Sequence, residues 1–370
     1  CENPVSSGFS FHLELSMPNQ KIRAGFIGCG GHAFRNVYPT FQFAPVDLIA
    51  TCDVEEDRAR DFARQFGAHQ YYTDHHEMLE TEDLDGVFIV AGYGPDNRPL
   101  YPPLAIDCMK AGCNAWIEKP PAASVAEIEE MMAVEKETGK FTFVGLKKAF
   151  FPAIERLKEI TERPEFGGLM SLYLKYPQYI PNENEKDLVT SLRMRGFLDH
   201  IVHPGSIIDY LAGKIRHIYY ERSPRGGGIM NIKFTSEATG VLHFTSGRSN
   251  TSPLERIEVI GHGENAIVDN GVRLTYYRKG SRGEGGYGRA TNFMGSDDQA
   301  PITWEPEWSL GQLYNKQIFL LGYAFEVIEF ANCILQNRYP TRGNLESARE
   351  LLKLYEAFQH PPGQVIPINP

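Results

Sequence analysis

Six residues, Ile22–Ile27, run without a break into Gly28-Cys-Gly30-Gly31-His32-Ala33. A short apolar run rich in Ile and Phe fits a buried strand. G-x-G-x-x-A at its end suits a strand that turns at once into a helix over a phosphate. The first glycine makes the tight turn and the second lets backbone approach a pyrophosphate. Ala33 is small enough for helix to pack on strand. Backbone N–H groups and the positive end of the helix then face the anion.

A second apolar run, Val46–Cys52, ends at Asp53, 25 positions after Gly28. An acidic residue is expected about 20 residues on in a dinucleotide-binding βαβ unit. Its carboxylate accepts hydrogen bonds from the adenosine ribose and repels a 2′-phosphate. NAD is therefore expected rather than NADP, although Arg58 nearby keeps NADP open. The plain alternative is a structural glycine turn followed by a surface aspartate.

Further apolar runs follow at Val87–Ala91, Ala115–Ile117 and Phe141–Val144, with amphipathic stretches between them. Asp57–Phe66 carries Ala59, Phe62, Ala63 and Phe66 on one helical face. Val125–Thr138 opens with Ser124-x-x-Glu127, a capping box, and stops at Gly139. Alternation of this kind predicts a parallel sheet covered on both faces. The second half differs. A helix is expected at Ala153–Arg163, then strands at Leu169–Tyr176, His217–Arg222, Gly228–Phe234, Gly240–Ser246, Arg256–Ile260 and Val272–Tyr277. Met230-Asn-Ile-Lys-Phe234 alternates strictly, as in an antiparallel sheet with one wet face. Two helices are expected near Leu313–Gln336 and Leu345–Gln359. The Gly-rich interval Gly280–Trp308 reads as a long functional or interaction loop.

The chain has 370 residues, too many for one core and enough for two domains. Its net charge of −10 argues against nucleic acid, and no apolar stretch is long enough to span a membrane. Six cysteines stand without C-x-x-C pairs or zinc-finger spacing. They read as free thiols in a reducing, cytoplasmic setting. Cys1 leaves open a processed lipoprotein cysteine. The preferred reading makes residues 1–16 an extension before a natural start at Met17.

The fifth run ends in Glu118-Lys119-Pro120, which puts an ammonium at the sheet edge where ligands bind. Such a group can hold a substrate oxygen and stabilise developing negative charge. Alone it would read as a solvated end-of-strand lysine. Asp199-His-Ile-Val-His203 places a carboxylate and an imidazole on one helical face. A neutral imidazole can take a hydroxyl proton, and the carboxylate can orient the ring. An i,i+4 surface ion pair is the alternative. Pro204 follows directly and is expected to kink or restart the helix. His200 is the competing base. His200 and His203 lack a third ligand, so no metal is expected.

Taken in order, G-x-G-x-x-A, Asp53, Glu118-Lys119-Pro120, Gly145-Leu-Lys-Lys-Ala-Phe-Phe-Pro152 and Asp199-x-x-x-His203 resemble the glucose–fructose oxidoreductase / inositol dehydrogenase / MocA (Gfo/Idh/MocA) family over about residues 21–360. The resemblance implies an α/β fold with an N-terminal extension (residues 1–20). A Rossmann dinucleotide-binding domain would occupy 21–147, and an α/β domain with a large, mostly antiparallel open sheet 148–370. It implies an NAD(P)-dependent dehydrogenase acting on CH–OH groups of sugars, sugar derivatives, glycosides or cyclitols. A homodimer or homotetramer through the open sheet is expected. Lys119, Asp199 and His203 would be catalytic. Cofactor contacts would come from Gly28, Cys29, Gly30, Gly31, His32 and Ala33, from Asp53 and Arg58, and from Ala91, Gly92, Glu118, Lys119 and Lys148. Lys147, Tyr179 and Arg195 are candidate substrate contacts. Lys147, Lys148 and Ala149 stand where the family usually has an amide and arginines, and Tyr101 where a histidine is common. Two other functions remain open. One is tightly held NAD used for transient oxidation in glycoside cleavage or sugar–sugar hydride transfer. The other is a non-catalytic NAD-binding regulator of a sugar pathway.

Overall fold

The computed structural model describes residues 20–186, 191–279, 300–305 and 316–369. The expected extension at 1–16, and all of Gly280–Trp308 except 300–305, lie outside the described residues.

Six parallel strands form the first sheet: β1 (Ile22–Ile27), β2 (Val46–Cys52), β3 (Gln70–Tyr72), β4 (Gly86–Ile89), β5 (Asn114–Ile117) and β6 (Thr142–Val144). Their order is β3-β2-β1-β4-β5-β6. The chain reverses direction of growth between β1 and β4, which opens a crevice at the carboxyl ends of the strands. The connections carry α1 (Glu56–Phe66), α2 (His75–Thr81), α3 (Tyr101–Lys110) and α4 (Val125–Thr138). The Ser124 side chain caps α4 through the Glu127 N–H. The Glu127 carboxylate reaches back to the Ala123 N–H at 2.7 Å, one residue earlier than a capping box requires. Between β1 and β2 the expected helix is a wide π turn, Ala33–Val37, followed by a 3-10 turn, Tyr38–Gln42. Pro39 has no N–H to donate to the preceding turn, so a regular helix cannot propagate there.

After β6, α5 (Pro152–Thr161) leads to β7 (Ser171–Tyr176), then α6 (Leu192–Ala212), β8 (Ile215–Arg222), β9 (Gly228–Phe234), β10 (Thr239–Phe244), β11 (Arg256–Ile260), β12 (Asn265–Asp269), β13 (Arg273–Tyr277) and β14 (Ile302–Trp304). The chain closes with α7 (Lys316–Leu320), α8 (Tyr323–Leu335), α9 (Leu345–Ala357) and β15 (Val365–Pro367). These strands make a nine-stranded sheet, antiparallel except where β10 pairs with β7. Along β9, Met230, Ile232 and Phe234 are buried while Asn231 is exposed, as strict alternation requires. Helix α5 packs on β12 and β13 and α6 on β7, with α9 against α6. The helix expected near Leu313–Gln336 is divided at Gly322, whose φ of +76° a continuous helix cannot accommodate.

Two packing details place the site. Helix α6 is unbroken from Leu192 to Ala212 with Pro204 inside it, so the helix does not restart there. Gly205 lets α9 lie against it, since a Cβ there would come 2.5 Å from Leu351 Cδ2. Close packing along the helix outweighs the one hydrogen bond that proline removes. Helix α8 returns to the parallel sheet. Val327, Phe330 and Cys333 are buried in one cluster with Phe26, Phe88, Trp116 and Phe143. Gly86 of β4 has no side chain because Ile334 and Phe330 occupy that space.

Glu135 of α4 is half-buried where α4, β6 and the approach to α9 meet. It accepts the Thr142 N–H at 2.6 Å and the Tyr339 hydroxyl at 3.1 Å. Burial raises its carboxyl from 4.5 to about 7. The folded protein therefore keeps a proton that the unfolded chain releases, and stability falls as pH rises through that interval. Glu135→Gln is expected to flatten this slope and to add about 1–3 kcal/mol of stability at pH 8. Denaturant unfolding of both proteins at pH 5 and pH 8 measures it.

Candidate active site

The glycine turn has the shape its sequence requires. Gly28 has φ +95°, and a Cβ there would lie 2.2 Å from the Val90 carbonyl oxygen. A Cβ on Gly30 would meet nothing within 4 Å, so the loop presents bare backbone to open space. Asp53 is buried at the end of β2. Its carboxylate accepts the Cys29 N–H at 2.7 Å and the Glu55 N–H at 3.0 Å, with Arg58 at 3.9 Å. An open glycine cradle beside a buried carboxylate fits a dinucleotide with a free ribose 2′-hydroxyl. Ala91 and Gly92 form the next wall. Ala91 accepts the Tyr101 hydroxyl at 2.6 Å and Gly92 accepts the Leu100 N–H at 3.1 Å. Tyr101, at the start of α3, is thus a buried prop for the loop.

His32 spans the crevice. Its Nε2 lies 2.8 Å from Glu118 Oε1, and its Nδ1 3.2 Å from Asn36. The other Glu118 oxygen accepts the Lys119 N–H at 3.0 Å. The glycine turn and the end of β5 are tied together by this pair.

Lys119 leaves β5 and meets α6. Its Nζ is 2.8 Å from Asp199 Oδ1, and the Tyr93 hydroxyl donates to the same oxygen at 3.3 Å. The carboxylate that the sequence offered to His203 is thus engaged with Lys119 and Tyr93. Arg195, one turn before Asp199, lies over the Tyr93 ring at 4.9 Å and donates to Asn97 Oδ1 at 3.0 Å. It joins the rim contributed by the loop after β4. Tyr179 lies further out, with its hydroxyl on the Arg193 carbonyl at 3.0 Å. The aromatic side chain near His203 is Tyr176, with ring centroids 6.4 Å apart.

His203 sits one helical turn beyond Asp199, about 6 Å along the axis. Its pKa lies well below the usual histidine value. Burial is the main cause, reinforced by the ammonium groups of Lys119, Lys148 and Lys147. It is a neutral imidazole at pH 7. His200 differs, being exposed with its Nδ1 on the Gly196 carbonyl at 2.8 Å. The structure therefore distinguishes the two histidines by their surroundings.

The two lysines after β6 diverge. Lys148, expected at the cofactor, is buried and ion-paired with Glu255, beside β11, and lies over the Phe151 ring. Lys147 turns toward α8, where its Nζ donates to the Tyr323 hydroxyl at 2.9 Å. Burial lowers its pKa, partly offset by Glu118 and Glu326. Glu326 is fully buried with both carboxyl oxygens unpartnered, and burial followed by Glu118 raises its pKa well above the usual range. It is a neutral acid in the wall behind the crevice. Tyr176 opens the Tyr176-Pro-Gln-Tyr179 segment that the family resemblance places at the pocket border. Tyr93, Glu255, Tyr323 and Glu326 were not singled out from sequence; Tyr93 stands next to Ala91 and Gly92, which were, whereas the other three carried no local signal.

The sequence model of a family described as "Oxidoreductase family, NAD-binding Rossmann fold" (GFO_IDH_MocA) matches residues 22–146. Over those residues the chain matches the Rossmann domain of the Gfo/Idh/MocA oxidoreductases. Among relatives, a myo-inositol 2-dehydrogenase of Thermotoga maritima is 25% identical over 279 residues, covering 72% of this chain and 80% of that enzyme. A dehydrogenase structure from Chromobacterium violaceum superposes with TM-score 0.74 at 21% identity, over 92% of this chain and 94% of that one. An aldose–aldose oxidoreductase from Caulobacter crescentus, complexed with glycerol, gives TM-score 0.72 at 17% identity, over 94% and 100%. Like the family, this chain is an NAD-binding oxidoreductase. Among the described residues no helix is long and apolar enough to cross a membrane.

Two outcomes follow from the charges. Asp53→Asn keeps an acceptor for backbone N–H but removes the negative charge facing the ribose. The ratio of kcat/KM with NADP to that with NAD is expected to rise at least about tenfold, one lost charge interaction of about 1.4 kcal/mol. Lys147→Met removes one of the cations pressing on His203. The acid limb of the kcat/KM profile is expected to move up toward pH 6.5, read from rates between pH 5 and 8.

Proposed function

We propose that this protein transfers hydride between NAD and the carbinol or carbonyl carbon of a polyol, namely a sugar, sugar derivative, glycoside or cyclitol. The observation that carries the reading is the Lys119–Asp199 contact of 2.8 Å with a neutral imidazole, His203, one turn further along α6. NAD, when bound, takes or returns the hydride at that carbon. His203 accepts the hydroxyl proton as the C–H bond breaks, which general-base catalysis makes about 10²–10⁴-fold easier. Lys119 donates to the same oxygen and stabilises the partial negative charge on it. Asp199 holds the ammonium in position, and Tyr93 fixes the carboxylate. In reduction His203 must first take a proton from solvent; the ammonium groups around it then make that imidazolium a strong acid toward the carbonyl oxygen. Tyr93 offers the ring face that Arg195 does not cover to the apolar side of a sugar ring. The relatives named for myo-inositol and aldose chemistry support a ring-borne secondary alcohol or lactol.

Along β7 and β11 every second side chain is partly exposed among the described residues, which supports a homodimer or homotetramer through that face. Five buried free thiols, Cys29, Cys52, Cys108, Cys113 and Cys333, support a cytoplasmic setting.

His203→Asn and Lys119→Met are each expected to lower kcat/KM by about 10²-fold or more on an inositol or sugar substrate. NAD affinity of His203→Asn, measured by nicotinamide or protein fluorescence, should stay within a few fold of the parent. Rates are read as NADH absorbance over a panel of inositols, aldoses and glycosides. Wild-type turnover by both variants would refute the assignment.

A further inference from the structure

A second cluster of chemically capable side chains lies in the Rossmann domain away from Lys119 and His203. Asp74 caps α2, its Oδ1 accepting the His76 N–H at 2.9 Å. That cap sets His75 and His76 side by side at the first two helical positions, with ring centroids 4.0 Å apart and planes at 36°. Both rings turn their Nε2 atoms toward one oxygen of Asp107, which belongs to α3. His75 Nε2 is 3.0 Å from Asp107 Oδ2, and His76 Nε2 is 3.8 Å from the same atom. Asp74 Oδ1 lies 3.9 Å from the other nitrogen of His75. Asp74, His75 and His76 offer ligand atoms within 4.8 Å of one another.

As ion pairs alone these groups are poorly matched. Protonating both imidazoles puts two positive charges about 4 Å apart, and leaving both neutral gives two rings one good acceptor between them. A divalent ion in place of the protons satisfies both nitrogen lone pairs and the carboxylate together. Zinc bonds of about 2.0–2.2 Å to nitrogen and oxygen set tetrahedral ligands about 3.3 Å apart. The two separations measured from Asp107 Oδ2, 3.0 Å to His75 Nε2 and 3.8 Å to His76 Nε2, bracket that value. Asp74 then has the place of the carboxylate that orients a ligating histidine through its second nitrogen. Imidazole with carboxylate selects borderline ions such as Zn²⁺, Co²⁺ or Ni²⁺ over Mg²⁺ and Ca²⁺. The His76 side chain is 60% exposed, which leaves an entry path and a free coordination position.

We propose that His75, His76 and Asp107 form a divalent transition-metal site, oriented by Asp74, that fastens α2 to α3. The site is built from side chains of two helices and is independent of the catalytic proposal. It also adjoins the cofactor crevice, because the Tyr72 carbonyl, two residues before Asp74, accepts the Asp53 N–H at 3.2 Å.

The test uses the full chain, stripped with chelator and titrated with ZnCl₂ and with MgCl₂. Calorimetry is expected to give one equivalent of saturable Zn²⁺ binding and no Mg²⁺ binding. Tm should rise by several degrees with zinc in excess, as ligand binding to the folded state requires. His75→Ala and Asp107→Asn should abolish both effects while keeping the parent circular dichroism. Asp74→Asn should weaken binding by about 10–100-fold, the usual loss for an orienting partner. The proposal is overturned if the parent shows no saturable binding, or if binding and the Tm rise persist in His75→Ala and Asp107→Asn.

Discussion

The Lys119 ammonium can stand in the crevice because a carboxylate from a distant part of the chain is there to meet it. A parallel strand ends at the rim of its sheet, and nothing in β5 can neutralise a cation at that point. Asp199, 80 residues on, does so at 2.8 Å. The contact sets α6 against the end of the parallel sheet, and the position of His203 one turn later follows. Lys148 and Glu255 repeat the pattern, again with one partner beside each sheet. Breaking a buried pair by removing one member costs about 3–5 kcal/mol, so such pairs resist rearrangement. The imidazole thus sits among charges that are fixed but mostly compensated, which keeps it unprotonated without expelling a polar substrate.

The glycine turn is held on two sides. Asp53 takes the Cys29 N–H, and Glu118 takes His32. These two carboxylates shape the loop in the free protein, so little ordering of it is left to be done on binding.

What could be read in the sequence was what local chemistry decides. The bounds of β1, β2 and α4 agree residue for residue with the apolar runs and with Ser124 and Gly139 at the ends of α4. Strand β3 escaped because it is three residues long and mostly exposed at the sheet edge. Pro204 misled because local preference argued for a break that packing against α9 overrides. In the site, Lys119, Asp199 and His203 were legible as motifs. Their neighbours were not, because contacts decide them: Tyr93 meets Asp199 across 106 residues, Lys148 meets Glu255 across 107, and Lys147 meets Tyr323 across 176.

Helix α8, which begins at residue 323, seals a face of a sheet whose last strand ends at residue 144. The order of synthesis and the order of closure therefore differ. While the ribosome is still making the later strands, Phe88 and Phe143 lack the ring of Phe330 that packs on them. A fragment cut after residue 147 would retain every glycine of the nucleotide turn and lose the wall behind it, exposing an aromatic surface that drives self-association. The two lobes that the primary structure sets end to end are, for the purposes of biogenesis, a single unit completed from its carboxyl end.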